Sequence, residues 1–211
     1  MTEFDRTEDE LYSAAIHESG HAVLSELFDM NTEYVTIEPT EKTYGHLRRR
    51  GRGYGAQGKW RNMLVICGGC VAQEFDVLAP PEYLQWPDTE DESTDGALLW
   101  ASLQEHSEDP RQRQEWFELA FSQTQRILSQ RVVWRSVKSL AERLMEARTL
   151  DRREAADVIE AALGRSKWNY GFSRIQMGDH YAIPPQTWID SREEYREQQK
   201  ALTAALARGT K

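Results

Sequence analysis

His17, Glu18 and His21 stand as a His-Glu-x-x-His run, the residue types and spacing of a metal-dependent hydrolase. Four residues apart on a helix, the two histidines share a face, so their imidazoles can converge on one metal ion while Glu18 lies along the rim as a general base. Five histidines in 211 residues produce this pattern by chance on the order of once in a hundred chains. The plainer reading is a buried helix whose histidines are hydrogen-bonded core residues. Two imidazoles leave zinc one protein ligand short of a catalytic set. Asp95, following Ser93-Thr94 at the start of a helix-like run, is the first choice for the third; Glu74, Asp91 and Glu92 compete.

The element carrying the motif is well specified. Thr7 and Glu10 form a capping-box start, Glu8, Asp9 and Glu10 crowd the first turn, and no proline interrupts the next twenty positions. Gly20 inside this helix costs about 1 kcal/mol relative to alanine, so it asks for a packing or functional reason. Beyond a turn at Asp29–Thr32, the β-branched alternation of Tyr34–Glu38 predicts a strand ended by Pro39, and Tyr44–Arg48 a second short one. The edge of this small sheet is the expected seat for an extended peptide, with Tyr44, Gly45 and His46 as substrate-binding candidates. His46 is also a candidate oxyanion donor; its plainer reading is an ordinary half-exposed histidine.

Arg48, Arg49, Arg50 and Arg52, interleaved with Gly51, Gly53, Gly55 and Gly58, read as a basic connecting loop. Apolar residues from Trp60 through Phe75 to Leu78 recur at three and four positions, predicting a helix over Lys59–Leu78 despite the Gly68-Gly69 pair. Cys67 and Cys70 invite a redox or zinc reading, but with no second pair they are better explained as small residues on a buried helix. Between Glu82 and Asp109 lie nine acidic residues and no lysine or arginine. Such a run is usually a solvated face, yet it is also where a carboxylate ligand is to be sought. Helices follow over Gln112–Arg131 and Val132–Arg148, and a third is capped by Asp151 with Glu154 and closed by Gly164. The aromatic segment Trp168–Trp188 is expected to wrap an existing surface, and a final helix runs from Ser191 toward Gly209 with a thin stripe of Tyr195, Leu202 and Leu206.

A net charge of −9 and a pI near 5.2 argue against nucleic acid or an anionic membrane as partner, since either demands a basic face. The apolar runs Met63–Cys67 and Ala97–Ala101 are too short to span a bilayer, and two cysteines fit a reducing compartment. A soluble, cytoplasmic protein is expected, with a main domain over 1–163 and a C-terminal aromatic extension and helix over 164–211.

In this order the segments resemble the peptidase domain of the FtsH family of ATP-dependent zinc proteases. Four stretches carry the likeness. Ala15-Ile16-His17-Glu18-Ser19-Gly20-His21-Ala22-Val23 is close to that family's His-Glu-Ala-Gly-His-Ala; Val35-Thr36-Ile37-Glu38-Pro39 stands with Tyr44-Gly45; Gly68-Gly69-Cys70-Val71-Ala72-Gln73-Glu74 is similar to Gly-Gly-Arg-x-Ala-Glu-Glu; and Ser93-Thr94-Asp95 is similar to Ser-Asn-Asp. The likeness spans roughly residues 7–163. It implies a mainly α (α+β), zincin-like fold with a two- to three-stranded sheet and a C-terminal helical bundle. It further implies zinc held by His17, His21 and Asp95, with Glu18 as catalytic base. Departures are Gly96 and Leu99 after the aspartate and Gln73-Glu74 for the Glu-Glu pair. No Gly-x-x-x-x-Gly-Lys-Ser/Thr phosphate loop occurs in the chain, so the expected activity is ATP-independent by itself. Such a protein would need a partner ATPase or be limited to peptides, loops and disordered segments; the family's rings make a homo-oligomer a further expectation. A soluble zinc metalloendopeptidase is thus the leading expectation. Against it stand a peptidase-fold interaction module without catalysis and a metallohydrolase acting on a non-peptide amide.

Overall fold

Local signals set the first helix of the structure, a computed structural model that describes residues 7–30, 32–39, 45–49, 55–76, 94–164 and 182–209. Thr7 accepts from the Glu10 amide while the Glu10 carboxylate returns to the Thr7 amide, and α1 (Glu8–Leu27) runs from that box. Its central residues are buried almost all round, so α1 is a core helix rather than a surface one. Around it stand α2 (Gly55–Asp76), α3 (Asp95–Gln104), α4 (Pro110–Leu128), α5 (Arg131–Ala147), α6 (Arg152–Leu163) and α7 (Gln186–Gly209). With them goes one small antiparallel sheet. The described chain is therefore mostly helical, and none of its described helices is long and apolar enough to cross a membrane.

The helix α1 packs chiefly on α2 and α5. The contact with α2 is made through glycine: a Cβ on Gly20 would stand 2.2 Å from the Gly68 carbonyl oxygen, and one on Gly68 only 2.8 Å from Leu24 Cδ1. Here is the packing reason for glycine in the middle of both helices. Their backbones touch, which no side chain would permit.

The sheet has the order β2-β1-β3, with β1 (Thr32–Thr36) central between β2 (His46–Arg49) and β3 (Thr149–Asp151). Val35 opposes Leu47 on one side and Leu150 on the other. Val35 and Leu150 are fully buried. The first strand starts and stops two residues before the Tyr34–Glu38 predicted from alternation. Ile37 has left the strand, and its amide donates to the Arg148 carbonyl at 2.9 Å.

Two further expectations are corrected. Gly55 and Gly58 belong to α2 rather than to a basic loop, the helix opening at Gly55 in the left-handed region with φ of 70°. Arg48 and Arg49 lie in β2, where Arg48 pairs with Glu33 at 2.9 Å; residues 50–54 fall outside the described set. Phe75, counted among the apolar positions, is 38% exposed and meets Trp134 edge to face, while Leu78 is not described.

Where the description resumes at Ala182, the chain contributes Ala182 and Trp188 to the main core. The Pro185 carbonyl accepts from the Trp188 and Ile189 amides, so α7 begins at Gln186, ahead of the expected Ser191. Trp188 is fully buried between Trp60 and Trp116, its indole N–H donating to the Ala56 carbonyl. The other two indoles are satisfied by Gln123 and Thr187. Segment 165–181 and the side chains of Leu202 and Leu206 lie outside the description.

Candidate metal centre

Two helices far apart in sequence, α1 and α3, deliver three donor atoms to one point. His17 and His21, one turn apart on α1, place their Nε2 atoms 3.0 Å from each other. Asp95, the first residue of α3, brings Oδ2 to 2.9 Å from His17 Nε2 and 2.8 Å from His21 Nε2. Its position follows from the cap, since Thr94 Oγ1 accepts from the Ala97 amide and starts α3 there. Gly69 of α2 forms the floor: a Cβ at this position would stand 2.5 Å from both imidazole Nε2 atoms. The triangle keeps an outlet, because the His17 and Asp95 side chains are 22% and 24% exposed.

Hydrogen bonds behind the rings decide which nitrogens face inward. His21 Nδ1 lies 2.6 Å from the Val65 carbonyl oxygen, which can only accept, so this nitrogen carries the hydrogen. His17 Nδ1 lies 2.9 Å from Gln73 Oε1. The Gln73 amide is oriented in turn by donating to Ser13 Oγ at 2.9 Å and to the Ser13 carbonyl. When neutral, both rings therefore present bare Nε2 lone pairs to the Asp95 carboxylate and to each other. Three acceptors at these distances repel unless a positive charge sits among them.

A zinc ion fits that demand. Ligand atoms sharing a tetrahedral zinc at its usual bond lengths stand about 3.4 Å apart, so this triangle need open by only about half an ångström to take the ion. The outward ring N–H groups bonded to a carbonyl and a side-chain amide are the supporting shell such ligands have. Without a cation the field draws in a proton. Burial works against a charge on His17, but the hydrogen bond and charge of Asp95, with Glu18 and Gln73, raise it to about 9. Burial likewise opposes a charged Asp95, yet the His21 and His17 imidazoles hold its carboxyl well below the usual range.

Glu18 is roofed rather than rimmed. It is 6% exposed, and Gly45 stands over it so closely that a Cβ there would be 3.1 Å from Oε1. Glu18 Oε2 is buried with no hydrogen-bond partner among the described residues. Burial raises its pKa, the two histidines lowering it and Asp95 adding to the rise. Elevation of this kind suits a carboxylate that must take up a proton.

Of the other sequence candidates, Gly45 is brought to the site and His46 is not. Successive strand residues face opposite ways. His46 takes the face bearing Tyr34, whose hydroxyl is 2.6 Å from its Nε2. Tyr44, Asp91 and Glu92 lie outside the described residues. Glu74 is turned toward α4, where it accepts from Gln125 at 3.1 Å. Sequence reasoning missed Gln73 and Val65 as the groups that set the tautomers. It set aside a metal reading of Cys70, whose thiol comes near the His17 and Asp95 donors. As a redox pair the two thiols are poorly placed: burial, with Asp95 adding, pushes Cys70 up to about 12, and burial first also raises Cys67.

No protein-family model and no curated protein gives a match to this chain.

Proposed function

We propose that the chain is a zinc-dependent metalloendopeptidase of the FtsH type and zincin-like fold, cutting exposed or unfolded protein segments. The observation that carries this reading is the convergence of two tautomer-fixed Nε2 lone pairs and one carboxylate oxygen beside a buried, unpartnered Glu18 oxygen. His17, His21 and Asp95 would hold the metal. Zinc, when bound, supplies a Lewis acid for the scissile carbonyl and acidifies water toward a pKa of about 7.

The chain's own residues do the rest. Gln73 and the Val65 carbonyl keep both rings turned inward. Glu18, whose Oε1 lies against Gly45 and whose Oε2 is buried without a partner among the described residues, takes the proton of the attacking water and carries it to the leaving amine nitrogen as the C–N bond breaks. A base placed beside the donors favours catalysis over a purely structural metal site, which has no use for one.

Substrate enters as an extended strand in this reading. Gly45 leads directly into β2, at the end of the sheet order, and no described strand pairs with the outer edge of β2. A peptide added there by backbone pairing runs past Glu18. Folded substrates would call for a partner ATPase. Two free thiols suit a reducing cytoplasmic setting.

The test is zinc stoichiometry on purified protein together with cleavage of casein, with and without chelator. One zinc per chain and chelator-sensitive cleavage are expected. Zinc without cleavage would instead favour an interaction module, and neither would end the metal reading.

A further inference from the structure

The helix α2 approaches the donors with a second kind of ligand. Gly69 forms the floor and Gln73 holds His17 from behind; between them Cys70 directs its thiol to the same place. Cys70 Sγ, a His17 ring nitrogen and an Asp95 carboxylate oxygen all lie within 4.8 Å of one another. Cys70 is only half-buried, whereas Cys67, one turn earlier, is buried.

Resting on the zinc reading above, we propose that Cys70 is a fourth protein donor to the metal. The centre then alternates between a closed His17–His21–Asp95–Cys70 shell and an open one in which Cys70 has swung away. Two observations lead there independently. The inward lone pairs of His17, His21 and Asp95 call for a cation whatever Cys70 does. The placement of a soft sulfur donor within reach then fixes the coordination number. Sulfur and nitrogen sharing a zinc are about 3.6 Å apart, so from within 4.8 Å the thiol sulfur need close on the His17 nitrogen by no more than about 1.2 Å to join it on the metal. One rotamer step moves a thiol sulfur about 3 Å, enough to leave it again.

The chemistry balances simply. As the sulfur–metal bond forms, the thiol loses one proton to solvent; when the bond breaks, the thiolate regains one. No electrons change hands. A shell filled by four protein donors is the arrangement of structural zinc, while three donors leave the position a hydrolase needs. Cys70 therefore holds the enzyme latent until substrate or a thiol-capping reagent displaces it.

Cobalt(II) loaded into the full chain is the probe, since thiolate ligation gives a near-ultraviolet charge-transfer band that nitrogen and oxygen donors do not. The wild type is expected to bind one cobalt and show the band. Cys70→Ser should lose the band and bind cobalt about tenfold more weakly, while Cys67→Ser should keep both. Stoichiometric binding without the band, or a band lost in Cys67→Ser rather than Cys70→Ser, overturns the role of Cys70 and leaves the metal site standing. Absence of cobalt binding overturns both. X-ray absorption of the zinc-loaded wild type needs no variant: one sulfur at about 2.3 Å supports the closed shell, and none refutes it.

Discussion

His17 Nδ1 and Gln73 Oε1 are joined at 2.9 Å across 56 positions of sequence, and this bond determines what His17 offers to a metal. Gln73 has its amide nitrogen committed to Ser13, so only its oxygen faces the ring. Gln73→Leu keeps the bulk but leaves the ring free to rotate and change tautomer. Zinc affinity, read by competition with a chromogenic chelator, should fall about 10- to 100-fold, with little change in secondary structure. Unchanged affinity would mean that the bond has no part in ordering the ligand.

Glu18→Gln separates holding the metal from using it. Glutamine retains the volume beneath Gly45 but cannot accept the proton of an attacking water. Zinc content should stay at the wild-type level while peptide hydrolysis drops roughly 10²- to 10⁴-fold. A variant with wild-type turnover would remove Glu18 from the mechanism.

Features legible in the sequence are those encoded locally. Both capping boxes, Thr7 with Glu10 and Asp151 with Glu154, form as their spacing predicts, and Gly164 closes α6 in the left-handed region with φ of 72°. The His17–His21 pair was readable because helical periodicity alone fixes it, and Asp95 because Thr94 marks a helix start. What escaped depends on partners far along the chain. The third strand is three residues long and exists only because Thr149–Asp151 meets Tyr34–Thr36 from more than a hundred positions away. Gln73 and the Val65 carbonyl have no signature as ring-orienting groups until α2 lies against α1. Trp188 follows two prolines, and its place in the core depends on the distant Trp60 and Trp116.

Gly69→Ala tests how tightly the site is closed from below. The added Cβ would sit 2.5 Å from three ring atoms, and the rings are pinned behind by Gln73 and Val65, so they have little room to retreat. Such overpacking costs about 1–3 kcal/mol. Metal binding should therefore be lost or greatly weakened in titration calorimetry, with the melting temperature of the metal-free chain lowered as well. A variant that binds zinc normally would show that the imidazoles do not lie where this floor puts them.

His106 makes stability depend on acid at the seam between α3 and α7. Its ring is 9% exposed, packs edge to face on Trp188, and accepts from the Arg192 guanidinium at 2.7 Å. Burial, then the charges of Arg192 and Lys59, lower its pKa from 6.5 to about 4, with the Glu105 backbone acting weakly the other way. Because the folded value is depressed, the unfolded chain binds the extra proton first. This contribution to stability is fully present above pH 6.5 and is lost as pH falls toward 4. At about 1.36 kcal/mol per unit, the loss approaches 3 kcal/mol over that window. His106→Gln, which cannot take up a proton, should flatten the difference in urea midpoint between pH 7 and pH 4.5. Equal midpoint shifts in variant and wild type would place the acid sensitivity elsewhere.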